Sequence, residues 1–112
     1  MTPRETVLSR SRERELAECR RIAETWAPVL RALASSERLL IVLWLAGTRS
    51  SVRELEEVTG LGQSLVSYHL RMLRDAGLIV AEADGRVNRY RLATADLDSL
   101  AELIGRLNAA GG

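Results

Sequence analysis

The sequence predicts a small, mainly α-helical domain of about five helices that also contains one β-hairpin. Three observations predict this fold class. Apolar residues recur every three or four positions in several segments, as they do on one face of a helix. A glycine-containing turn, Gly60-Leu61-Gly62, separates two short segments of this kind. Further on, Asp84-Gly85 precedes a run of strand-forming residues and is a strong hairpin signal.

Composition limits the classes of protein to which the domain can belong. The chain has 112 residues, which is enough for one compact domain with a modest core. The formal net charge is only +1, so the overall charge does not by itself indicate nucleic-acid binding. A single cysteine excludes an intramolecular disulfide, and no signal peptide or membrane-spanning run is visible. These features predict a soluble, cytoplasmic protein without a membrane partner.

The N-terminal third predicts a long helix that follows a flexible segment. Residues 1–11 are polar and are expected to be flexible, whereas residues 12–33 carry a continuous apolar stripe. The stripe consists of Leu16, Cys19, Ala23, Trp26, Leu30 and Leu33. Pro28 removes a backbone donor and clashes with the preceding turn, so a break or kink is expected near Ala27. Such a stripe suggests a homodimer interface, and packing on the chain's own core is the alternative.

A second helix is predicted to lie at the centre of the domain. Ser35 or Ser36 is expected to cap it, and Gly47 is expected to end it. Residues 39–45 are apolar all round, which is typical of a helix that is buried on every side. The linker that follows, residues 48–51, has the length of a very short strand.

The next two helices predict a helix-turn-helix. Ser50 or Ser51 is expected to cap the first of them, which runs to about Thr59. In the second, residues 62–76, an apolar side is formed by Val66, Leu70 and Leu73 and is widened by Leu65, Met72 and Ala76. The opposite side carries Gln63, Ser64, Ser67, Tyr68, Arg71 and Arg74. Two short helices joined by a glycine turn, the second with an exposed polar face, are typical of DNA binding through the second helix.

The C-terminal third predicts a wing and a last helix. Gly77 is expected to end the recognition helix, and Asp84-Gly85 is expected to turn the chain into a return strand over residues 86–92. A basic hairpin directly after a helix-turn-helix is a wing. Thr94 or Asp96 is expected to cap a helix over residues 95–108, and residues 109–112 are expected to be a flexible tail. The apolar stripe of this helix is Leu97, Leu100, Ile104 and Leu107.

The predicted DNA-binding residues form three groups. The N-terminal end of the recognition helix is expected to read base edges through Gln63, Ser64, Ser67 and Tyr68. Phosphates are expected to be held by Arg71 and Arg74, and at the start of the preceding helix by Arg49, Ser51 and Arg53. The wing is expected to reach the DNA backbone or minor groove through Arg86, Arg89 and Arg91. For any single arginine, the alternative is a solvated surface charge.

Three motifs in the chain are more specific than its helix pattern. They are the run Ser67-Tyr68-His69-Leu70-Arg71-Met72-Leu73, then Asp75-Ala76-Gly77-Leu78, and in the wing Gly85-Arg86 with Tyr90-Arg91-Leu92. Through these motifs, residues 30–107 resemble the ArsR/SmtB family of bacterial winged-helix transcriptional regulators. The resemblance implies a homodimer formed by the first and last helices, with two recognition helices in successive major grooves of a roughly palindromic operator. The interface is then expected to contain Leu16, Cys19, Ala23, Trp26, Leu97, Leu100, Ile104 and Leu107. Gly62 departs from the pattern, because the family often has a serine cap there.

The effector sites that the resemblance implies are not matched. The family's Cys-x-Cys pair is absent from residues 52–58, and the Asp-x-His of the last helix reads Asp96-Leu97-Asp98, followed by Glu102. No cofactor is therefore assigned. A divalent transition metal such as nickel, cobalt or zinc, held by these acids with groups from the other subunit, stays an alternative to solvated acids. Cys19 is expected to pack as a thiol at the interface, and His69 to pack or to contact a phosphate.

The chain is therefore expected to be a sequence-specific DNA-binding regulator, and a repressor, rather than an enzyme. Gly60-x-Gly62 lacks the third glycine and the preceding strand of a dinucleotide-binding motif. One histidine and one cysteine do not supply a nucleophile, a base and an orienting group. The alternative is a winged-helix interaction module that acts with a separate protein partner or sensing subunit.

Overall fold

The computed structural model describes the backbone of residues 3–111 and the side chains of residues 9–93 and 97–109. Over these residues the elements are, in order, α1 (Pro3–Leu33), α2 (Ser36–Leu45), α3 (Val52–Thr59), α4 (Gln63–Asp75), β1 (Ile79–Asp84), β2 (Val87–Leu92) and α5 (Thr94–Gly111). Five helices and one antiparallel hairpin confirm the predicted fold class. Within the described part of the chain, no helix is long and apolar enough to span a membrane.

The two terminal helices are longer than the sequence predicted. Helix α1 begins at Pro3 and continues through Pro28, so the predicted break near Ala27, with a second segment starting at Pro28, is wrong. Pro3 is in the first turn of the helix, where proline is tolerated. Pro28 has no amide hydrogen to donate to the carbonyl of Glu24, but Glu24 is exposed, so water can donate to that carbonyl instead. Residues 3–11 and 109–111, expected to be flexible ends, are helical. Residues 1, 2 and 112 lie outside the described residues.

Helices α2, α3 and α4 surround the core. Its fully buried side chains are Ile41, Leu55, Val66, Leu70, Leu73 and Leu78. Helix α2 is buried on one side only, because no element covers its other side in the part of the chain that the structure describes. Its outer face consists of Leu39, Leu40, Leu43 and Trp44, of which Leu43 is 70% exposed. The prediction that α2 is buried on every side is therefore wrong.

Serine and glycine residues fix the start of α2 and the turn into α4. Ser35 caps α2 by accepting a hydrogen bond from the Arg38 amide, and Ser51 caps α3 by accepting one from the Glu54 amide at 3.2 Å. Gly60 ends α3 in the left-handed region, at φ +73°, where a side chain would be strained. Gly62 is the N-cap of α4 and provides no side-chain hydrogen bond. The first turn of α4 is therefore left without a side-chain cap, as the missing serine indicated.

The wing is joined to the linker before α3. Strands β1 and β2 pair from Ile79 opposite Leu92 to Asp84 opposite Val87, so the turn residues are Gly85 and Arg86, one position later than predicted. The amide of Ser50 donates to the Tyr90 carbonyl at 3.1 Å, and the Tyr90 amide donates back at 2.8 Å. This single bridge pairs the linker of residues 48–51 with β2 at one residue only, and it fixes the base of the wing beside α3.

Candidate nucleic-acid interface

Helix α4 presents a polar face away from the core. Val66, Leu70 and Leu73 are buried, whereas the predicted DNA-binding residues of this helix are all exposed: Gln63, Ser64, Ser67, Tyr68, Arg71 and Arg74. Leu65 is also on the outer side, 52% exposed, although the sequence placed it at the edge of the buried stripe. The helix is therefore docked by one face and free along the other.

A groove connects the start of α4 with two other elements. It encloses about 620 Å³ and brings together Ser51 and Arg53 of α3's start, Gln63 of α4 and Arg86 of the wing turn. These four residues were predicted separately as DNA-binding residues, and the fold places them on one surface. Glu56 and Asn88 also line the groove and were not predicted. Their signal was weak, because an acid on α3 and an amide in a strand are ordinary surface residues.

Two arginines of β2 are bonded to carboxylates. Arg89 donates from Nε to Asp84 Oδ2 at 2.7 Å and from Nη1 to Glu54 Oε1 at 2.8 Å. The hydrogen bonds to Asp84 and then to Glu54 raise the pKa of Arg89, because both favour its charged form. Arg91 donates to Glu82 and to the Leu92 carbonyl.

Glu82 is shared between two arginines. Besides Arg91, it accepts from Arg49 Nη1 at 3.0 Å. The hydrogen bond from Arg91 is the main reason that the pKa of Glu82 is lowered, and the charges of Arg49 and Arg91 lower it further. Arg49 and Arg91, both predicted to contact DNA, are thus already paired within the protein.

The other cations of the predicted interface are unpaired. They are Arg53, Arg71, Arg74 and Arg86, which are exposed and form no ion pair with any side chain that the structure describes. Two of them lie on α4, one at the start of α3 and one at the wing turn. The positive charge available to a phosphate backbone is therefore concentrated on the surface that carries Gln63.

His69 holds α4 against the first two helices. Arg38 Nη1 lies 3.0 Å from His69 Nδ1, and Arg38 Nε donates to the Ala32 carbonyl at 2.5 Å. A guanidinium has no acceptor, so Nδ1 must be the acceptor and the proton of the neutral ring must be on Nε2. This is the packing role expected of the histidine.

The comparisons with known proteins agree with this geometry. The sequence model of the bacterial regulatory protein arsR family matches residues 35–80, which run from the Ser35 cap into β1. The HTH-type transcriptional regulator YgaV of Escherichia coli is 39% identical over 79 residues, which are 70% of this chain and 80% of that protein. The chain belongs to the ArsR family.

Two further similarities extend the comparison of this ArsR-family chain. The HTH-type transcriptional repressor SmtB of Mycobacterium tuberculosis is 42% identical over 74 residues, 66% of this chain and 55% of the repressor, so the chain spans about half of that protein's length. The homodimeric winged helix-turn-helix DNA-binding domain of Mb0332 from Mycobacterium bovis is 30% identical with a TM-score of 0.65, covering 79% of this chain and 82% of that one. The arsR family, YgaV and SmtB are transcriptional regulators, not enzymes.

A second surface of the ArsR-family chain lies between α1 and α5. An apolar groove of about 660 Å³ is lined by Cys19, Ile22, Ala23, Trp26, Ala27, Leu30, Leu103, Arg106 and Leu107. Ile104 and Leu107 of α5 are exposed, as is Leu16 farther along α1. Ile22 and Leu103 were missed, although each lies three or four residues from a residue of the predicted stripes.

Two predicted interface residues are used inside the protomer instead. Leu100 is only 7% exposed, and Leu97 packs against the core cluster. Helix α5 therefore turns its first two stripe positions inward, and only Ile104 and Leu107 of its predicted four are left for a second copy. The apolar stripe could not distinguish packing on the protomer core from packing against a second copy, because both require apolar residues at the same helical spacing.

The described acids of α5 do not form a metal site within one chain. Nickel, cobalt and zinc favour imidazole or thiolate ligands, whereas the described candidates, Asp98 and Glu102, are exposed carboxylates. Among the described side chains, no three His, Cys, Asp or Glu residues are grouped so that they could hold a metal ion. The side chain of Asp96 lies outside the described residues.

Proposed function

We propose that this protein is a homodimeric transcriptional repressor that binds a roughly palindromic DNA operator in the bacterial cytoplasm, with one α4 helix in each half-site. The observation that carries the proposal is the joint surface of α3, α4 and the wing. Gln63, Arg53 and Arg86 come from three separate elements and line one groove beside the polar face of α4. A recognition helix flanked by phosphate-binding groups requires this arrangement.

The side chains suggest a division between base reading and backbone contact. Gln63, Ser64, Ser67 and Tyr68 occupy the first half of α4, the end that reaches base edges in helix-turn-helix proteins. A glutamine can pair with N6 and N7 of adenine. Arg71 and Arg74 lie farther along the helix, where phosphate contact is expected.

The start of α4 favours a nearby anion. It carries no acidic residue in its first turn, and Gly62 caps none of its amides. The helix dipole places partial positive charge at this end, so a DNA phosphate or base acceptor meets no competing carboxylate on the helix itself. The uncapped start thus suits DNA contact even though it costs helix stability.

The dimer is supported by the shape of the protomer. A compact chain of this length has a radius of gyration of about 13 Å. The observed value is 19.4 Å, with a longest axis of 68 Å, because α1 extends beyond the folded body. A second copy that packs α1 and α5 against the same two helices would cover Leu16, Cys19, Ala23, Trp26, Ile104 and Leu107.

We assign no metal effector to the protein, because the carboxylates of α5 are poor ligands for nickel, cobalt or zinc. The protein-partner alternative differs in one measurable respect, since an interaction module need not bind DNA by itself. Selection and footprinting with the purified chain therefore separate the two functions.

The test is selection of binding sites from random duplexes, followed by footprinting of the DNA upstream of the protein's own gene. We expect a two-fold symmetric site whose affinity falls steeply with salt. In a plot of the logarithm of the binding constant against the logarithm of the salt concentration, each phosphate contacted should contribute a slope of about −0.9. Arg71→Ala/Arg74→Ala should abolish protection. The control, Arg10→Ala/Arg14→Ala, loses the same charge from the exposed surface of α1 and should retain it. The absence of any selected site, or binding without salt dependence, contradicts the proposal.

A further inference from the structure

The arginines of the wing differ in their surroundings, and the difference assigns them separate tasks. We propose that Arg89 is a positioning residue that holds the wing against α3, and that Arg86 is the wing arginine that contacts DNA. The pair of bonds from Arg89 to Asp84 and to Glu54 is called the wing clamp below. The inference rests on the proposed function, because it concerns how the same DNA interface is assembled.

The wing clamp joins three elements. Asp84 is the last residue of β1, Arg89 lies across the hairpin on β2, and Glu54 is in the first turn of α3. The bond lengths of 2.7 Å and 2.8 Å are those of charge-assisted hydrogen bonds. Glu54 Oε1 also accepts from the hydroxyl of Ser51 at 3.4 Å, so the clamp reaches the N-cap of α3.

Charge balance within the clamp disfavours phosphate contact by Arg89. Two carboxylates face its single guanidinium, so the local net charge is −1 unless another cation approaches. A phosphate would have to displace one carboxylate from a hydrogen bond before Arg89 could bind it. Arg91 and Arg49 differ from Arg89, because they share the single carboxylate of Glu82 and that cluster keeps a net charge of +1.

Arg86 has the opposite environment. It is the second residue of the wing turn, it is exposed, and it forms no ion pair with a described side chain. It lines the groove that also contains Gln63 and Arg53. The Ser50–Tyr90 bridge fixes the base of the wing, and the wing clamp fixes its outer half, so together they determine where Arg86 meets the DNA.

Lysine substitutions distinguish a contact from a clamp. Lysine keeps the point charge that a phosphate needs, but it lacks the planar fork that bonds two carboxylates at once. We therefore expect Arg86→Lys to recover most of the affinity that Arg86→Ala loses. Arg89→Lys should recover little of the loss caused by Arg89→Ala. Binding is measured by fluorescence anisotropy with the selected duplex and with a scrambled duplex of equal length.

Substitutions of the acids test the wing clamp through the direction in which the DNA affinity changes. Removing an acid near DNA ordinarily raises affinity, and Glu56→Gln, which removes an acid from the groove, should raise it for both duplexes. Glu54→Gln removes the same charge from the same helix but breaks the wing clamp. It should instead lower affinity for the selected duplex by roughly threefold to tenfold, as expected for an exposed ion pair lost in each protomer.

The outcomes separate the inference from the proposed function. The assignment is supported if Glu54→Gln lowers the DNA affinity and Glu56→Gln raises it, and if lysine restores affinity at position 86 but not at position 89. Arg89 contacts DNA if Glu54→Gln raises affinity as Glu56→Gln does, or if Arg89→Lys recovers most of the affinity that Arg89→Ala loses. Either result overturns the assignment and leaves the proposed function standing. If the wild-type chain binds neither duplex, the proposed function itself fails and the assignment fails with it.

Discussion

At the scale of single residues, burial divides α4 into side chains that hold the fold and side chains free to contact DNA. The three-and-four spacing of Val66, Leu70 and Leu73 was sufficient to predict the buried side. It could not place Leu65 at the margin, where a rotation of a few tens of degrees decides exposure. Nor could it predict that Arg89 meets Glu54, because the contact joins residues 35 positions apart in the chain.

Gln63 is expected to contribute to base preference. Gln63→Ala should relax the preference at one base pair of each half-site, by about 1–3 kcal/mol if the side-chain oxygen accepts from adenine N6 and the side-chain nitrogen donates to adenine N7. Arg74→Ala should weaken binding to all sequences about equally. Repeating the duplex selection with each variant provides the measurement. Equal effects of both substitutions on base preference would show that readers and phosphate contacts have been confused.

Leu70 is expected to be a main contributor to stability. It is 1% exposed in the core, so Leu70→Ala should lower the free energy of unfolding by about 2–5 kcal/mol through lost burial and a residual cavity. The matched control on the same helix is Leu65→Ala, which should cost less than about 1 kcal/mol because the side chain is largely in water. Urea denaturation measures both. Similar losses would contradict the orientation of α4.

At the scale of elements, the sequence predicted where helices begin and end more accurately than it predicted how the helices pack. The caps at Ser35 and Ser51 follow from interactions within a few residues, and the structure has both. Pro28 was expected to interrupt α1, but the helix continues through it, with the Glu24 residue one turn earlier exposed to water. The exposed side of α2 could not be predicted, since an apolar run does not reveal how many sides the fold covers.

The wing is expected to loosen at low pH. Arg91 and Arg49 lower the pKa of Glu82 below its ordinary value of 4.5, so this group stabilises the fold above that value and the contribution is lost as pH falls through the lowered pKa. The stability difference between wild type and Glu82→Gln should therefore be largest near neutral pH and shrink below about pH 4. Urea midpoints between pH 7 and 3 test this.

The control for the pH series is Glu57→Gln, an exposed acid on α3 that forms no ion pair with the described side chains. Its stability difference from wild type should not show the Glu82 pattern. A Glu82→Gln difference that stays constant with pH would mean that its two arginine contacts do not stabilise the native state.

At the scale of the whole molecule, the sequence predicted that α1 and α5 form an interface but not how α5 divides its stripe. The extended α1 and the apolar groove beside Trp26 and Leu103 are properties of the folded chain. Leu97 and Leu100 could not be assigned to the protomer from periodicity, because a core and an interface bury the same kind of residue.

Leu107 is expected to be necessary for dimerisation. It is 65% exposed in the protomer, so Leu107→Glu should place a charge in the interface without disturbing the protomer core. Sedimentation at micromolar concentration should show a dimer for wild type and a monomer for the variant. Val87→Glu, an equivalent change on the exposed wing, should remain dimeric. A wild-type monomer, or a dimeric Leu107→Glu variant, would contradict the interface.

The most direct test of a dimer that reads two half-sites is to change their spacing. In the selected duplex, an insertion of about 5 bp between the half-sites rotates one of them by half a helical turn away from its α4 helix. Affinity for this duplex should then fall to that of a scrambled duplex, while each half-site keeps its sequence. Undiminished affinity for the duplex with the insertion would contradict the proposal that two α4 helices bind DNA as one symmetric unit.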